Sequence, residues 1–311
     1  MTQNINQQMS SLDILTLISL SILWGGSFFF VEVLIDQYAP LTIVALRVGL
    51  AAIGLWALVV ALGLEVPKSG KHWIALFVLG LLNNALPFCL IAWGQTQISS
   101  GLASIFNAMT PFFTVIVAGA LLADERITTP KLVGVLAGLV GAIVLIGPEV
   151  LGGMSGSTLG QLAVMLAAIS YAFAAAYARR FRAWGISPLI VATGQVTTAT
   201  LIMAPLAIVI DQPWNVLDMQ MATAGAVIGL SLFSTVIAYV LYFRLIDSAG
   251  ATNAALVTFL IPISAILLGV LFLHEAFSIP QAIGMAVIGA GLLIMDGRPW
   301  KWLTSSWDVK P

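Results

Sequence analysis

Long apolar stretches separated by short polar gaps run through this chain. A helix needs roughly 20 apolar residues to cross a hydrocarbon core about 30 Å thick. Cutting the sequence at charges, prolines and glycines gives ten such stretches, near residues 12–35, 41–63, 72–94, 99–122, 130–148, 158–182, 188–210, 220–245, 250–273 and 280–296. The short alternating segments of a membrane barrel do not occur in the sequence. The pattern therefore predicts an all-α integral membrane protein with ten transmembrane helices.

The composition agrees with a lipid bilayer as the environment. Hydrophobic residues make up 60% of the chain and charged residues 8%, compared with roughly 25% charged residues in a soluble domain. A net charge of −1 gives no indication of a nucleic-acid partner. The lone Cys89 excludes an intramolecular disulfide, and no cluster of residues predicts a metal or a cofactor.

The positive charges predict how the chain is oriented. Eleven of the twelve Lys and Arg residues fall in alternate gaps between the stretches: Lys68, Lys71, Arg126, Lys131, Arg179, Arg180, Arg182, Arg244, Arg298, Lys301 and Lys310. Short loops rich in Lys and Arg stay on the cytoplasmic side during insertion. Both termini are therefore predicted to be cytoplasmic.

The chain also repeats itself. Five stretches precede Gly152–Gly153 and five follow, and Pro40 and Pro111 in the first half correspond to Pro188 and Pro262 in the second. We expect an N-terminal repeat over residues 1–151 and a C-terminal repeat over residues 152–311. Because five is odd, the second repeat enters the membrane from the opposite face. Inverted repeats of this kind flank a substrate site near the bilayer midplane and expose it to each side in turn.

Small residues recur in the fifth and tenth stretches. They are Gly134, Gly138, Gly141, Gly284, Gly289 and Gly291. Glycines at such positions let two helices approach closely, so we interpret them as packing residues.

Several short motifs carry a resemblance to a known family. They are Leu23-Trp24-Gly25-Gly26-Ser27-Phe28, Pro40 followed by Ala45-Leu46-Arg47, Ser100-Gly101-Leu102-Ala103-Ser104, Thr110-Pro111 and Ala123-Asp124-Glu125. In this order and spacing they resemble the EamA-type repeats of the drug/metabolite transporter superfamily, whose ten-helix members carry two repeats. The resemblance implies export or exchange of small organic metabolites, often amino acids, across the bacterial inner membrane.

Two polar pairs interrupt the apolar stretches at related positions. Asn84, with Asn83 beside it, precedes Pro111 by 27 residues, and Thr235, with Ser234, precedes Pro262 by 27. Polar groups inside hydrocarbon are costly unless they face partners or water. We therefore predict that both pairs line a central cavity and bind substrate. Hydrogen bonds between helices are the alternative.

Further candidates for the cavity surround these pairs. Asn107 and Thr110 lie beside Pro111, which frees a backbone carbonyl. For Asn107 the alternative is packing against the third stretch. Trp24, Tyr171 and Tyr239 are aromatic residues within stretches and are predicted to contact substrate. Trp93, Tyr242 and Asn253 lie near the ends of stretches, where rings at the membrane interface and helix-end hydrogen bonds are expected.

Arg47 is the one cation inside a stretch. Glu32 lies in the preceding stretch at a similar predicted depth, so the first expectation is an ion pair between them. Two alternatives are that Arg47 binds a substrate carboxylate and that the pair forms an outer gate.

The sequence thus predicts a transporter for a small polar or zwitterionic metabolite, in which two inverted repeats alternate access to the site. No Asp or Glu lies near the middle of a stretch, which favours facilitated or weakly coupled transport of a neutral or zwitterionic solute. The alternative is uptake or exchange of an aromatic solute such as a vitamin or nucleobase. An intramembrane enzyme or a signalling scaffold is disfavoured, because His72 and His274 lie at opposite membrane faces and the loops are short. Monomer and homodimer both remain open.

Overall fold

A computed structural model describes residues 9–122, 125, 128–146, 156–214 and 219–296. Within these ranges every regular element is helical. The long helices are α1 (Ser11–Ile35), α2 (Pro40–Ala61), α3 (Gly70–Gln95), α4 (Ser100–Leu121), α5 (Thr129–Ile146), α6 (Gly156–Ala183), α7 (Pro188–Asp211), α8 (Met221–Ala249), α9 (Val257–Phe272) and α10 (Ile279–Asp296). The first eight are long and apolar enough to cross a membrane, and α9 and α10 are shorter apolar helices.

Each predicted stretch contains one of these helices. Helix α8 extends furthest beyond its predicted stretch, because it ends at Ala249 and the stretch was predicted to end at residue 245. The predicted stretch 250–273 divides into a four-residue helix, Ala251–Ala254, and α9. The predicted repeat boundary between residues 151 and 152, Arg126 and the tail residues Arg298, Lys301 and Lys310 lie outside the described residues.

Helix packing shows an internal two-fold relation. α1 packs against α9, and their counterparts α6 and α4 also pack against each other. α3 packs against α6, and correspondingly α8 packs against α1. α2 packs on its own counterpart α7, and α5 on its counterpart α10. Exchanging the two sets of five helices therefore reproduces the packing pattern.

The close pairing of α5 and α10 depends on glycine. A Cβ atom at Gly134 would lie 2.6 Å from the carbonyl oxygen of Gly291, and one at Gly141 would lie 3.1 Å from that of Gly284. These distances confirm the predicted packing role. The same prediction is wrong for Gly289, where an added Cβ would meet no atom within 4 Å.

Three of the long helices contain π-helical segments, in which the backbone hydrogen bond spans one residue more than in an α-helix. They are Leu81–Ala85 in α3, Ala207–Asp211 in α7 and Gly229–Ile237 in α8. The first contains Asn83 and Asn84, and the last contains Ser234 and Thr235. Such segments are frequent at functional sites, because they displace side chains from the regular helical register.

A proline follows the π segment of α3. Leu86 N–H donates to the carbonyl of Leu81, and Pro87 has no N–H to donate to the carbonyl of Leu82. The hydroxyl of Ser170 on α6 donates to that carbonyl at 2.7 Å. A neighbouring helix therefore satisfies the group that the proline leaves unpaired.

Candidate functional site

A cavity of about 310 Å³ lies among the helices of both halves. Its volume is at the lower end of the roughly 300–1,000 Å³ range of small-molecule sites. Its lining consists of Trp24, Ser27, Phe28, Arg47, Asn83, Phe88, Ile91, Asn107, Ala108, Thr110, Tyr171, Ser234, Thr235, Tyr239, Tyr242, Thr258 and Ile261.

Most of the lining residues form repeat-related pairs. With an offset of 151 residues, as between Pro111 and Pro262, the pairs are Asn83 with Ser234, Phe88 with Tyr239, Ile91 with Tyr242, Asn107 with Thr258 and Thr110 with Ile261. Trp24 and Tyr171 are the corresponding pair from the first helix of each half, at an offset of 147. The two halves thus contribute the same structural positions to one cavity, with different side chains.

The structure brings together eight of the nine residues predicted to bind substrate. Trp24, Asn83, Asn107, Thr110, Tyr171, Ser234, Thr235 and Tyr239 all line the cavity. Asn84 is fully buried behind this surface, where its Nδ2 donates to the hydroxyl of Tyr239 at 3.4 Å. Of this predicted pair, only Asn83 therefore lines the cavity.

Several lining residues were not predicted from the sequence. Tyr242 was assigned to the membrane interface but lines the cavity, with its ring centroid 5.2 Å from that of Trp24. Phe88, Ile91 and Ile261 are apolar and carry no individual signal in an apolar stretch. The 151-residue offset could have found Phe88 and Ile261, because it relates Phe88 to the predicted Tyr239 and Ile261 to the predicted Thr110.

The predicted ion pair between Glu32 and Arg47 is wrong. Nε2 of Gln95 on α3 donates to Oε2 of Glu32 at 2.9 Å. The Nε of Arg47 donates to Oγ1 of Thr235 at 3.2 Å, and its guanidinium carbon lies 3.6 Å from the centroid of the Phe88 ring. The prediction came from the helical rise, which does not fix the direction of a side chain.

Thr235 lies in the π segment of α8, and its hydroxyl group bonds both to the backbone of that segment and to Arg47. Its hydroxyl donates to the carbonyl of Leu230, five residues earlier, at 2.9 Å. The same oxygen accepts the hydrogen bond from Arg47 Nε. Arg47 is 8% exposed and Thr235 2%, so the guanidinium has a fixed position at the cavity wall.

Gln195 occupies the position in α7 that corresponds to Arg47 in α2. Its Nε2 donates to the hydroxyl of Tyr239 at 3.2 Å, and its Oε1 accepts from Nδ2 of Asn83 at 3.1 Å. Arg47 contacts α3 and α8 through Phe88 and Thr235, and Gln195 contacts the same two helices. One half of the site therefore has a cation where the other has a neutral amide.

α4 is interrupted beside the cavity. Its two segments, Ser100–Asn107 and Thr110–Leu121, are separated at Ala108 and Met109. Pro111 cannot donate to the carbonyl of Asn107, and the hydroxyl of Thr110 donates to it instead at 2.7 Å. The interruption directs Asn107 and Thr110 into the cavity wall.

Two polar atoms at the wall have no hydrogen-bond partner among the described residues. They are Oγ of Ser234 and Oδ1 of Asn107, and Ser234 is 1% exposed. A buried polar atom without a partner costs roughly 1–3 kcal/mol. Both atoms belong to residues that line the cavity, and each could form one further hydrogen bond.

The cavity lining is chemically mixed. Its lining combines aromatic rings with hydroxyl and amide groups and one guanidinium, and it includes no Asp, Glu, His or Cys among the described residues. No group of three or more potential metal ligands occurs in the part of the chain that the structure describes.

Comparison with known proteins agrees with this architecture. A crystal structure superposes with a TM-score of 0.66 at 20% sequence identity, covering 92% of this chain and 98% of that one, which supports the same fold. An uncharacterized transporter of Archaeoglobus fulgidus is 24% identical, over 88% of this chain and 94% of its own. Protein PecM of Dickeya dadantii is 26% identical over 88% of each chain. The uncharacterized inner membrane transporter YedA of Escherichia coli strain K12 is also 26% identical, over 88% of this chain and 86% of its own.

The model of the EamA-like transporter family matches this chain twice. The two matches cover residues 11–147 and 158–295, one in each set of five helices. The protein is thus a multi-pass membrane protein with two copies of this repeat, and it belongs to the EamA-like transporter family.

Proposed function

We propose that the protein moves a small polar or zwitterionic organic metabolite across the bacterial inner membrane by alternating access between two inverted repeats, in the direction of export. The proposal includes ten membrane crossings and cytoplasmic termini. The observation that carries it is the cavity, whose wall consists largely of repeat-related pairs of residues. A site at a two-fold interface reaches each face of the membrane when one half tilts against the other.

The polar groups of the cavity support a polar solute. Ser234 and Asn107 have unpaired hydrogen-bonding atoms at the wall, and buried polar groups of this kind give a binding site its specificity. The aromatic rings of Trp24, Tyr171 and Tyr242 surround the apolar part of the same solute. These aromatic rings also support the second candidate function, which is uptake or exchange of an aromatic solute such as a vitamin or nucleobase.

Radiolabelled flux into proteoliposomes tests the proposal. A panel of amino acids, vitamins and nucleobases should include at least one solute whose flux exceeds that of empty liposomes. Ser234→Ala combined with Thr235→Val should lower this flux at least about tenfold, because it removes two hydroxyl groups that line the cavity.

Asn253→Ala is the matched control. Asn253 Nδ2 donates to the carbonyl of Ala249, a helix-end contact away from the cavity lining, so flux should persist in this variant. Equal loss of flux in both variants would contradict a binding role for the cavity, as would unchanged flux in the double variant.

A further inference from the structure

The arrangement around Arg47 bears on the charge of the transported solute. Arg47 is buried at the cavity wall, and its hydrogen bond to the described residues is made by Nε alone, to Thr235. Its terminal guanidinium N–H groups therefore have no protein acceptor in the part of the chain that the structure describes. A buried cation is strongly destabilised unless an anion or a set of hydrogen-bond acceptors compensates it.

The contacts that Arg47 does make compensate the charge only in part. The face of the Phe88 ring lies 3.6 Å from the guanidinium carbon. A cation–π contact of this kind offsets only a small part of the cost of burying an unpaired ion. The ring also covers one face of the guanidinium, which leaves the planar edge with the terminal N–H groups available to a ligand.

The cavity offers no acidic counterpart. Its lining contains Arg47 and no Asp or Glu among the described residues. Glu32 is hydrogen-bonded to Gln95 away from this lining. The repeat-related position of Arg47 is Gln195, so the charge occurs on one side of the two-fold relation only.

We infer that Arg47 binds a carboxylate of the transported solute, and that the solute is a small organic acid with one carboxylate and an apolar or aromatic body. This inference rests on the proposed function and, of the polar and zwitterionic solutes that it allows, selects an organic acid without an ammonium group at the same site. The terminal N–H groups of a guanidinium match the two oxygens of a carboxylate in a bidentate pair. With the carboxylate at Arg47, the body of the solute lies among Trp24, Tyr171 and Tyr242.

The geometry also argues against a cationic solute. An ammonium group in this cavity would be repelled by Arg47 and would meet no carboxylate of the lining. Neutral amides would find the hydroxyl and amide groups of the wall but would leave the charge of Arg47 uncompensated. The carboxylate is therefore the group that we expect to distinguish a ligand from its close analogues.

Binding to the purified full-length protein tests this with matched pairs of probes. Butyrate, benzoate and hydrocinnamate are each compared with the corresponding amide, and hydrocinnamate also with phenethylamine, by isothermal titration at neutral pH. At least one acid should bind at least about tenfold more tightly than its amide, as expected for a hydrogen-bonded ion pair. The inference is overturned if no acid exceeds its amide, or if phenethylamine binds more tightly than hydrocinnamate.

Variants of Arg47 identify the group responsible. Arg47→Gln introduces the side chain found at Gln195. It should lower the ratio of the affinity for the acid to the affinity for its amide at least about tenfold. Arg47→Lys should retain part of it, because the charge remains while the bidentate geometry is lost. Arg180→Gln is the matched control, since Arg180 also lies over an aromatic ring, 3.3 Å from the centroid of Tyr177, but does not line the cavity. Retention of the acid preference in Arg47→Gln would overturn the inference.

Failure of the carboxylate inference and failure of the proposed function give different results. If Arg47→Gln does not fold, the comparison of acids with amides on the unmodified protein decides alone. Transport of an amide or amine that Arg47→Gln retains would overturn the carboxylate inference and leave the proposed function intact. Flux no greater than that of empty liposomes for every solute would count against the proposed function itself.

Discussion

Glu275 accepts a hydrogen bond from the backbone N–H of Ser100 at 2.8 Å, which joins the loop after α9 to the first turn of α4. Its second oxygen accepts from Gly101 N–H at 3.1 Å. The preceding residue, His274, has a left-handed φ of 56°, which turns the chain after α9. Asp211, at the end of α7, similarly accepts from the N–H of Thr42 in the first turn of α2, at 2.7 Å. Two acids of the second half thus cap two helices of the first half.

Replacing Glu275 by Gln should lower the thermal stability of the protein. The first N–H groups of a helix lack intrahelical acceptors, and a carboxylate there contributes about 1 kcal/mol through hydrogen bonding and the helix dipole. The change is measured as the midpoint of thermal unfolding in detergent.

Glu125, the repeat-related acid, provides the control for Glu275. It forms ion pairs with Lys131 at 3.4 Å and Arg179 at 3.9 Å, and the three side chains are 33–47% exposed. Exposed ion pairs contribute little, so Glu125→Gln should have a smaller effect. An equal effect of the two substitutions would contradict the capping role assigned to Glu275.

The glycine contact between α5 and α10 gives a second prediction. Gly134→Ala should destabilise the protein, because the new Cβ would lie 2.6 Å from the backbone oxygen of Gly291 and the helices would have to separate. Gly289→Ala on α10 should be neutral or slightly stabilising, since its Cβ would meet no atom within 4 Å and Ala favours helix by up to about 1 kcal/mol. Thermal unfolding of both variants checks this difference, and equal destabilisation would contradict it.

The amino-acid sequence predicted the helices and most of the polar residues that line the cavity. Asn83 and Ser234 were recognisable because a polar pair interrupts an apolar stretch at the same distance from a proline in both halves. Phe88 and Ile91 were missed because the sequence pattern of a membrane helix does not show whether an apolar residue faces lipid, protein or a cavity.

Contacts between residues far apart in the chain could not be predicted from the sequence. Glu32 and Arg47 were predicted to pair because of their similar position along neighbouring helices, but helical rise does not fix which neighbour a side chain faces. The partner of Arg47, Thr235, is 188 residues away in the chain and lies within a π segment. The contact of Glu275 with Ser100 is likewise a long-range pairing that no local pattern indicates.

The hydrogen bond from Ser170 to the carbonyl of Leu82 leads to a third prediction. Ser170→Ala should destabilise the protein by roughly 1–3 kcal/mol, because it leaves a buried carbonyl unpaired. Pro87→Ala supplies an N–H that can donate to this carbonyl in the π-helical register. The effect of Ser170→Ala should therefore be smaller in the Pro87→Ala background, as measured by a double-mutant cycle of thermal stability. Additive effects would show that Leu82 does not couple the two residues.

The hydroxyl of Tyr239 is the acceptor that joins α3, α7 and α8 behind the cavity. It accepts from Nδ2 of Asn84 at 3.4 Å and from Nε2 of Gln195 at 3.2 Å. Tyr239→Phe keeps the ring but removes this acceptor, so thermal stability should fall as two buried amides lose a partner, at a cost of roughly 1–3 kcal/mol. Tyr242→Phe is the matched control, because Tyr242 also lines the cavity and its hydroxyl makes no hydrogen bond among the described residues. Equal stability of the two variants would mean that the Tyr239 hydroxyl does not stabilise the contact between the helices.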